Sequence, residues 1–275
     1  MASRREFITA AVAAAVSGTA IHAWSEEQEP SQNLHAELMA GAMGNEQVAL
    51  LVYDGFTPLD LFGPHHLLML MGGAECCFVA ATSDLVTAEG GMKIVPTMTF
   101  ADCPEKLSVL LVPGGSQGAL EAMKDKQTRD FVASRGAQAE WVASVCTGSL
   151  ILGAAGLLDG YKATSHWLVR DVLADLGATP VNERVVIDRN RITAAGVTAG
   201  IDLGLTLVGK YRGDSYAQAA QLFAEYDPQP PYDSGSCEKA PQEIVEILRT
   251  MHSPFADNAK EIAQDIARQA AAEAK

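Results

Sequence analysis

The chain has 275 residues, 48% of them hydrophobic and 20% charged, enough apolar material for one sizeable core or at most two small ones. Its formal net charge of −14 repels phosphate backbones and anionic lipid, which speaks against nucleic acid and membrane surfaces as partners. The five cysteines, Cys76, Cys77, Cys103, Cys146 and Cys237, cannot all pair, and no C-x-x-C spacing offers a zinc knuckle or a redox dithiol.

Ser3-Arg4-Arg5-Glu6-Phe7, followed by an Ala/Val/Gly/Thr-rich run to Ala20, is the pattern of a twin-arginine signal. The run is too short to span a bilayer, which takes roughly 20 strongly apolar residues. We expect a signal over residues 1–23, export of the folded chain to the periplasm, and no membrane insertion after cleavage. Residues 24–45 are polar and acidic without a period and read as a linker.

Residues 47–53 form a continuous apolar run, the signature of a strand buried on both faces of a parallel sheet. A turn at 54–58 leads into a helix predicted over 59–71, with Pro64 near its start or kinking it. Residues 75–81 read as a second buried strand, and Gly90-Gly91 mark a hairpin or loop. The next buried strand, 107–112, stops at Pro113-Gly114-Gly115. Helical patterns cover 118–123 and 127–135. Residues 140–145 are again a strand, running directly into Cys146-Thr147-Gly148-Ser149 and a helix. A helix over 167–176, short strands at 185–187 and 191–194, and a helix from about 198 complete the pattern. Strands alternating with helices imply an α/β domain, a mostly parallel sheet with helices on both faces. Ligands of such sheets sit beyond the carboxyl ends of the strands, where Asp60, Gly114-Gly115 and Cys146 all fall. Four prolines between 228 and 241 suggest an arm, and the tail from 258 a surface helix that frays.

Cys146 carries the chemistry. A buried strand ends on it, a helix begins at once, and Gly148 is small enough for the sharp turn of a nucleophile elbow. The helix dipole favours the thiolate by about 0.3–1 kcal/mol, up to about 2. Lowering a thiol pKa from about 8.5 to about 6 takes roughly 3.4 kcal/mol, so local N–H donors have to supply the rest. An ionised Asp60 nearby would oppose this, unless the two groups share one proton. Read alone, Asp60 is equally a carboxylate serving a helix N-terminus. Cys76, Cys77 and Cys103 read as buried core thiols, and Cys237 lies in the arm without a role.

The stretch from Ser144 through Cys146-Thr147-Gly148-Ser149 to Leu158 resembles the nucleophile elbow of the ThiJ/PfpI superfamily, and within it the isonitrile hydratase branch. The similarity extends to Leu59-Asp60 with Gly63-Pro64-His65, Phe100-Ala101-Asp102-Cys103-Pro104 and Val112-Pro113-Gly114-Gly115. It continues through Ala163-Thr164-Ser165-His166-Trp167, the run from Gly196 to Asp202, and Glu225-Tyr226 with Pro230-Pro231-Tyr232. The resemblance implies a flavodoxin-like domain over 46–226, followed by a Pro-rich arm and helix over 227–275, and a homodimer. It implies water addition to an isonitrile, giving an N-substituted formamide. Cys146 would be the nucleophile and Asp60 its acid and base. Thr147 would orient water or supply an amide, and Gly114 and Gly115 would bring backbone N–H groups to the adduct. His166 matches a family position and is either catalytic or a supporting hydrogen-bond partner.

Two departures qualify the resemblance. The peptidase branch places a histidine directly after the cysteine, where this chain has Thr147, which argues against Cys-His peptidase chemistry. Phe62 stands where the hydratases carry a smaller polar residue and would shrink or dry the pocket. Gly114-Gly115-Ser116-Gln117-Gly118 lacks G-x-G-x-x-G spacing, so no nucleotide cofactor is expected. No metal site is expected either, because His65 and His66 lie about 100° apart on a helix. A small molecule is the expected partner. The competing reading is a periplasmic thiol redox sensor or a non-enzymatic ligand-binding member of the superfamily.

Overall fold

The computed structural model describes residue 34 and residues 38–273; the signal expected over 1–23 and most of the linker lie outside the described residues. The chain runs through β1 (Gln47–Leu51), α1 (Pro58–Leu68), β2 (Glu75–Ala80), a hairpin of β3 (Val86–Thr87) and β4 (Lys93–Ile94), β5 (Met98–Thr99) and β6 (Val109–Val112). It continues with α2 (Gln117–Lys124), α3 (Lys126–Gly136), β7 (Trp141–Val145), α4 (Gly148–Ala154), β8 (Lys162–Ala163), a 3-10 helix (Arg170–Leu176) and β9 (Thr179–Pro180). The last elements are β10 (Val185–Asp188), β11 (Arg191–Ala194), α5 (Ala199–Arg212), α6 (Asp214–Phe223) and α7 (Gln242–Glu273).

Seven strands form one sheet in the order β10-β11-β7-β6-β1-β2-β5. All pairs in it are parallel except the β10–β11 hairpin. This is the flavodoxin-like α/β architecture expected from the alternating pattern. The apolar runs explain it: side chains alternate between faces at period 2, and both faces are dry. Val48 and Leu50 enter the cluster under α1, α5 and α6, whereas Ala49 and Leu51 enter the one under α2, α3 and α4. Each fully buried Val or Leu contributes about 1.5–3 kcal/mol.

Strand order positions the site. β7, β6 and β1 are neighbours, so their carboxyl ends bring Cys146, Gly114-Gly115 and the start of α1 together. The depth of α1 is set by glycines of α5. A Cβ at Gly200 would lie 3.1 Å from Pro64 Cδ and 3.1 Å from Val145 Cγ2, and one at Gly204 would lie 3.0 Å from Pro64 Cα. Without them α1 would ride away from the end of β7.

Four local expectations change. The segment predicted as a helix over 167–176 is a 3-10 helix over Arg170–Leu176, closed by Gly177 at φ 82°. The tail is not a fraying surface helix from 258. α7 starts at Gln242, continues through Pro254, and buries Ala259, Ile262 and Ala263 in the core beside the 3-10 helix. Its small and branched residues at 259, 262 and 263 form one helical face, which is why it docks. Part of the expected linker is also docked: Met43 bridges to Gly72, and just beyond the linker Glu46 pairs with Arg212 at 2.5 Å. Finally, α6 and the two-residue strands β5, β8 and β9 had no counterpart in the sequence reading.

Candidate active site

Cys146 sits at φ 60°, in the left-handed region that a non-glycine residue rarely adopts and that costs of order 1–3 kcal/mol. The neighbourhood holds it there. Cys146 N donates to Ala194 O at 3.0 Å, and Cys146 O accepts from Ser149 Oγ at 3.2 Å and Ser165 Oγ at 3.1 Å. Gly148 is obligatory in this turn, because a Cβ would fall 2.2 Å from Val112 O. The strand-to-helix elbow expected at Cys146 is therefore present and strained.

Asp60 lies in the first turn of α1, fully buried, and its Oδ2 accepts from Gly114 N at 3.0 Å. Its carboxyl and the Cys146 thiol are hydrogen-bond neighbours, each perturbing the other. Asp60 Oδ1 is buried and has no hydrogen-bond partner. Thr147 closes the set. Its Oγ1 accepts from Gly115 N at 2.9 Å and donates to Gly115 O at 2.7 Å, while its amide and hydroxyl also face the sulfur. A hydroxyl has one proton, so Thr147 serves either Gly115 O or the sulfur at any moment. Gly114 makes the approach possible: a Cβ would lie 2.6 Å from Thr147 N and 2.8 Å from Asp60 Oδ2.

The charges follow from burial. Burial pushes the Cys146 thiol well above its ordinary range, the Asp60 charge adds to this, and the Thr147 amide and hydroxyl oppose it. Burial likewise pushes the Asp60 carboxyl up to about 7; the Gly114 amide and the Cys146 thiol oppose that, and the charge of Glu89 adds to it. Two acids that each resist ionisation beside the other share one proton. The sequence left open whether local donors or a neighbouring carboxylate governs the thiol; here desolvation outweighs the donors while Asp60 is charged. Tyr53, at the end of β1, is also pushed well above its ordinary range, first by burial and then by Asp60, Cys146 and Glu89. It stays protonated and donates to Pro113 O at 2.9 Å.

The DJ-1/PfpI family profile matches residues 46–210. The chain belongs to the DJ-1/PfpI family. Isonitrile hydratase of Pseudomonas putida is 47% identical over 208 residues, 76% of this chain and 90% of that protein. The crystal structure of a ThiJ/PfpI family protein from Pseudomonas syringae shares 48% identity at a TM-score of 0.82, covering 88% of this chain and 98% of that one. The HTH-type transcriptional regulator GbdR of Pseudomonas aeruginosa is 28% identical over 190 residues, 66% of this chain and 51% of that protein.

In this DJ-1/PfpI chain the other expected residues fall as follows. Gly114 and Gly115 are in the site, where their amides donate to Asp60 Oδ2 and Thr147 Oγ1 and so position those side chains. His166 directly follows Ser165, whose hydroxyl donates to Cys146 O at 3.1 Å. Its Nδ1 accepts from Leu168 N at 3.4 Å, and its ring tilts against Trp167. Burial, then the nearby His252, hold it below the usual histidine range. Phe62 lies on a different side of α1 from Asp60. Two residues along a helix is about 200°, and its ring packs edge-on against His65 and Phe78. Among the described residues no group of three or more His, Cys, Asp or Glu is arranged to hold a metal ion.

Sequence reasoning missed Ser149 and Ser165 as the pins of the strained elbow, and Tyr53 and Glu89 as neighbours of Asp60. The two serines were visible only as members of matching motifs. Glu89 had a faint signal, an acid immediately before Gly90-Gly91 in a predicted hairpin.

Proposed function

We propose that this protein is an isonitrile hydratase that adds water to an isonitrile through a Cys146 adduct. The observation that carries the reading is the buried contact of Cys146 with Asp60 and Thr147 at a strained elbow. The 47% identity to an isonitrile hydratase supports the substrate class. The cycle proceeds from the form with the shared proton on Asp60 and the charge on sulfur, reached from the thiol–carboxylate form by proton transfer within the Asp60–Cys146 contact. The thiolate adds to the terminal carbon of R–N≡C, and Asp60 delivers its proton to that carbon, giving the thioimidate R–N=CH–S. Water adds to the same carbon while the Asp60 carboxylate takes a water proton and passes it to nitrogen. The tetrahedral adduct then expels sulfur as thiolate, its hydroxyl proton returns to Asp60, and R–NH–CHO leaves. Atoms and charges balance, and the starting state is restored. A carboxyl with a pKa of about 7 suits both halves of this cycle, because acid–base efficiency peaks when the pKa lies near the working pH. The thiol-sensor reading has no comparable support, since the sulfur is buried rather than exposed.

The test is direct. Purified protein mixed with cyclohexyl isocyanide is expected to give the N-substituted formamide, and Cys146→Ala to give none. No product from the wild-type chain, or undiminished product from the variant, contradicts the proposal.

Two further features belong to the same reading. The twin-arginine pattern at residues 3–7 supports export of a folded enzyme to the periplasm; N-terminal sequencing of periplasmic material is expected to begin near residue 21 or 24. The family resemblance supports a homodimer, to be checked by sedimentation.

A further inference from the structure

The β3–β4 hairpin reaches into the site through one residue. Glu89 opens the 3-10 turn Glu89–Gly91, where Gly90 and Gly91 take φ 74° and 83°, values a glycine accepts without strain. Its backbone N donates to Phe56 O at 2.9 Å. Its two carboxylate oxygens then divide. Oε2 accepts from Thr57 Oγ1 at 2.8 Å, and Oε1 accepts from Ser116 N at 2.6 Å. Thr57 is the N-cap of α1, the helix that carries Asp60, and Ser116 follows the Gly114-Gly115 turn that holds Asp60 and Thr147.

The local sequence makes this arrangement informative. Thr57-Pro58-Leu59-Asp60 has the spacing of a capping box, in which the two side chains would satisfy each other's backbone N–H groups. Neither does. The Thr57 hydroxyl makes no cap bond and turns to Glu89, Asp60 turns to Gly114 N, and Thr57 N donates to Gly114 O at 2.8 Å. The helix has given up its own side-chain cap, and Glu89 ties its start to the neighbouring turn instead.

We propose that Glu89 is a positioning residue for Asp60: its carboxylate clamps the start of α1 to the Gly114–Ser116 turn and so fixes Asp60 against Cys146 and Thr147. The proposal rests on the hydration reading for its kinetic consequences, though not for its geometry. Two acceptor oxygens are needed, which glutamine lacks, and the reach of a glutamate, which aspartate lacks.

The clamp also has an electrostatic side. Burial raises Glu89, but its bonds from Ser116 and Thr57 outweigh that and keep it below the usual carboxylate range, hence charged. That charge disfavours ionisation of Asp60 and so biases the shared proton toward Asp60, enlarging the share of the pair that carries its charge on sulfur. The other titratable groups facing Asp60 are Cys146 and Tyr53. On α5, which packs against α1, Asp202 pairs with Arg184, Arg212 pairs with Glu46, and Lys210 sits over the Trp141 ring.

The experiment compares wild type, Glu89→Gln, Glu89→Asp and Thr57→Val in the full chain. It reads kcat and KM for cyclohexyl isocyanide across pH, and the iodoacetamide alkylation rate of the Cys146 peptide by mass spectrometry. Glu89→Gln is expected to lower kcat about tenfold with KM within about twofold, from loss of alignment. It is also expected to move the alkaline limb of kcat to lower pH and to slow Cys146 alkylation at neutral pH at least about twofold, as the proton shifts to sulfur. Glu89→Asp keeps the charge, so its kcat falls while its pH limb stays near wild type. Thr57→Val removes one hydroxyl, and reads the clamp alone should Glu89→Gln fail to fold. Glu89→Gln, or Thr57→Val in its stead, with wild-type kcat, pH profile and alkylation rate overturns the proposal. Absence of formamide from the wild-type chain defeats the hydratase reading instead, and the alkylation rates still decide the role of Glu89.

Discussion

Cys103 and Cys146 look alike by burial, at 4% and 6% exposure, and burial pushes both thiols upward. What separates them is backbone and company. Cys103 lies in a loop after β5, its carbonyl accepts from Arg135 Nη2 at 3.0 Å, and it belongs to the same core cluster as Phe100, Phe131 and Leu107. Cys146 has a left-handed backbone pinned by two serines, a buried carboxyl beside its sulfur and the first amides of a helix in front of it. A buried thiol is thus made reactive by being given somewhere to leave its proton, rather than by exposure. Burial alone makes an inert one.

The largest contrast comes from removing each sulfur. Cys146→Ala is expected to reduce isonitrile hydration by more than about 10³-fold. Cys103→Ala should leave kcat within about twofold and cost about 1 kcal/mol of stability from the small cavity. Comparable losses of kcat in the two variants would erase the distinction.

Next in size is Asp60. Asp60→Asn keeps an acceptor for Gly114 N but loses the shuttled proton, so kcat is expected to fall about 10²–10⁴-fold. The same variant should be more stable at alkaline pH. The folded carboxyl is raised from 3.8 to about 7, so ionising it in place opposes folding. Wild type therefore loses stability as pH rises from about 4 through 7, by as much as about 4 kcal/mol, and the variant lacks this slope. Urea unfolding at pH 5 and pH 8 reads the difference; parallel slopes in the two proteins would remove the buried acid from the explanation.

Smaller effects follow from the supports. Thr147→Val deletes the hydroxyl held between Gly115 and the sulfur, and should lower kcat about tenfold with KM nearly unchanged. Ser165→Ala removes one of two bonds to the Cys146 carbonyl, costing about 1 kcal/mol in unfolding free energy and only a few-fold in kcat. Should Ser165→Ala cost more activity than Thr147→Val, the elbow's pinning would outrank the hydroxyl in importance.

Legibility in the sequence followed the length and regularity of each signal. The buried strands β1, β6 and β7, the elbow after β7 and the residues at their carboxyl ends were readable, because short, nearly unbroken apolar runs and a Cys-Thr-Gly turn leave few alternatives. Two-residue strands such as β5 carry no period at all. The docking of α7 was hidden because Ala259 and Ala263 look like any Ala-rich surface, and only Ile262 marks the buried face. In the site, the identities of Asp60, Cys146 and Thr147 were legible but their energetics were not. Whether the dipole or desolvation governs Cys146 depends on the dryness of the cavity, which no spacing encodes. The acceptors of the Gly114 and Gly115 amides were hidden for the same kind of reason: which acceptor takes an amide is a tertiary fact.

The most direct measurement is single-turnover trapping. Enzyme in excess over cyclohexyl isocyanide is quenched in acid at short times and its five cysteine-containing positions are followed by peptide mass spectrometry. A transient mass increase of one isonitrile on Cys146, rising before formamide and decaying as it accumulates, is the expected result. Formamide appearing with Cys146 unmodified throughout, or with the added mass on Cys103, would contradict a thiolate that attacks from the elbow.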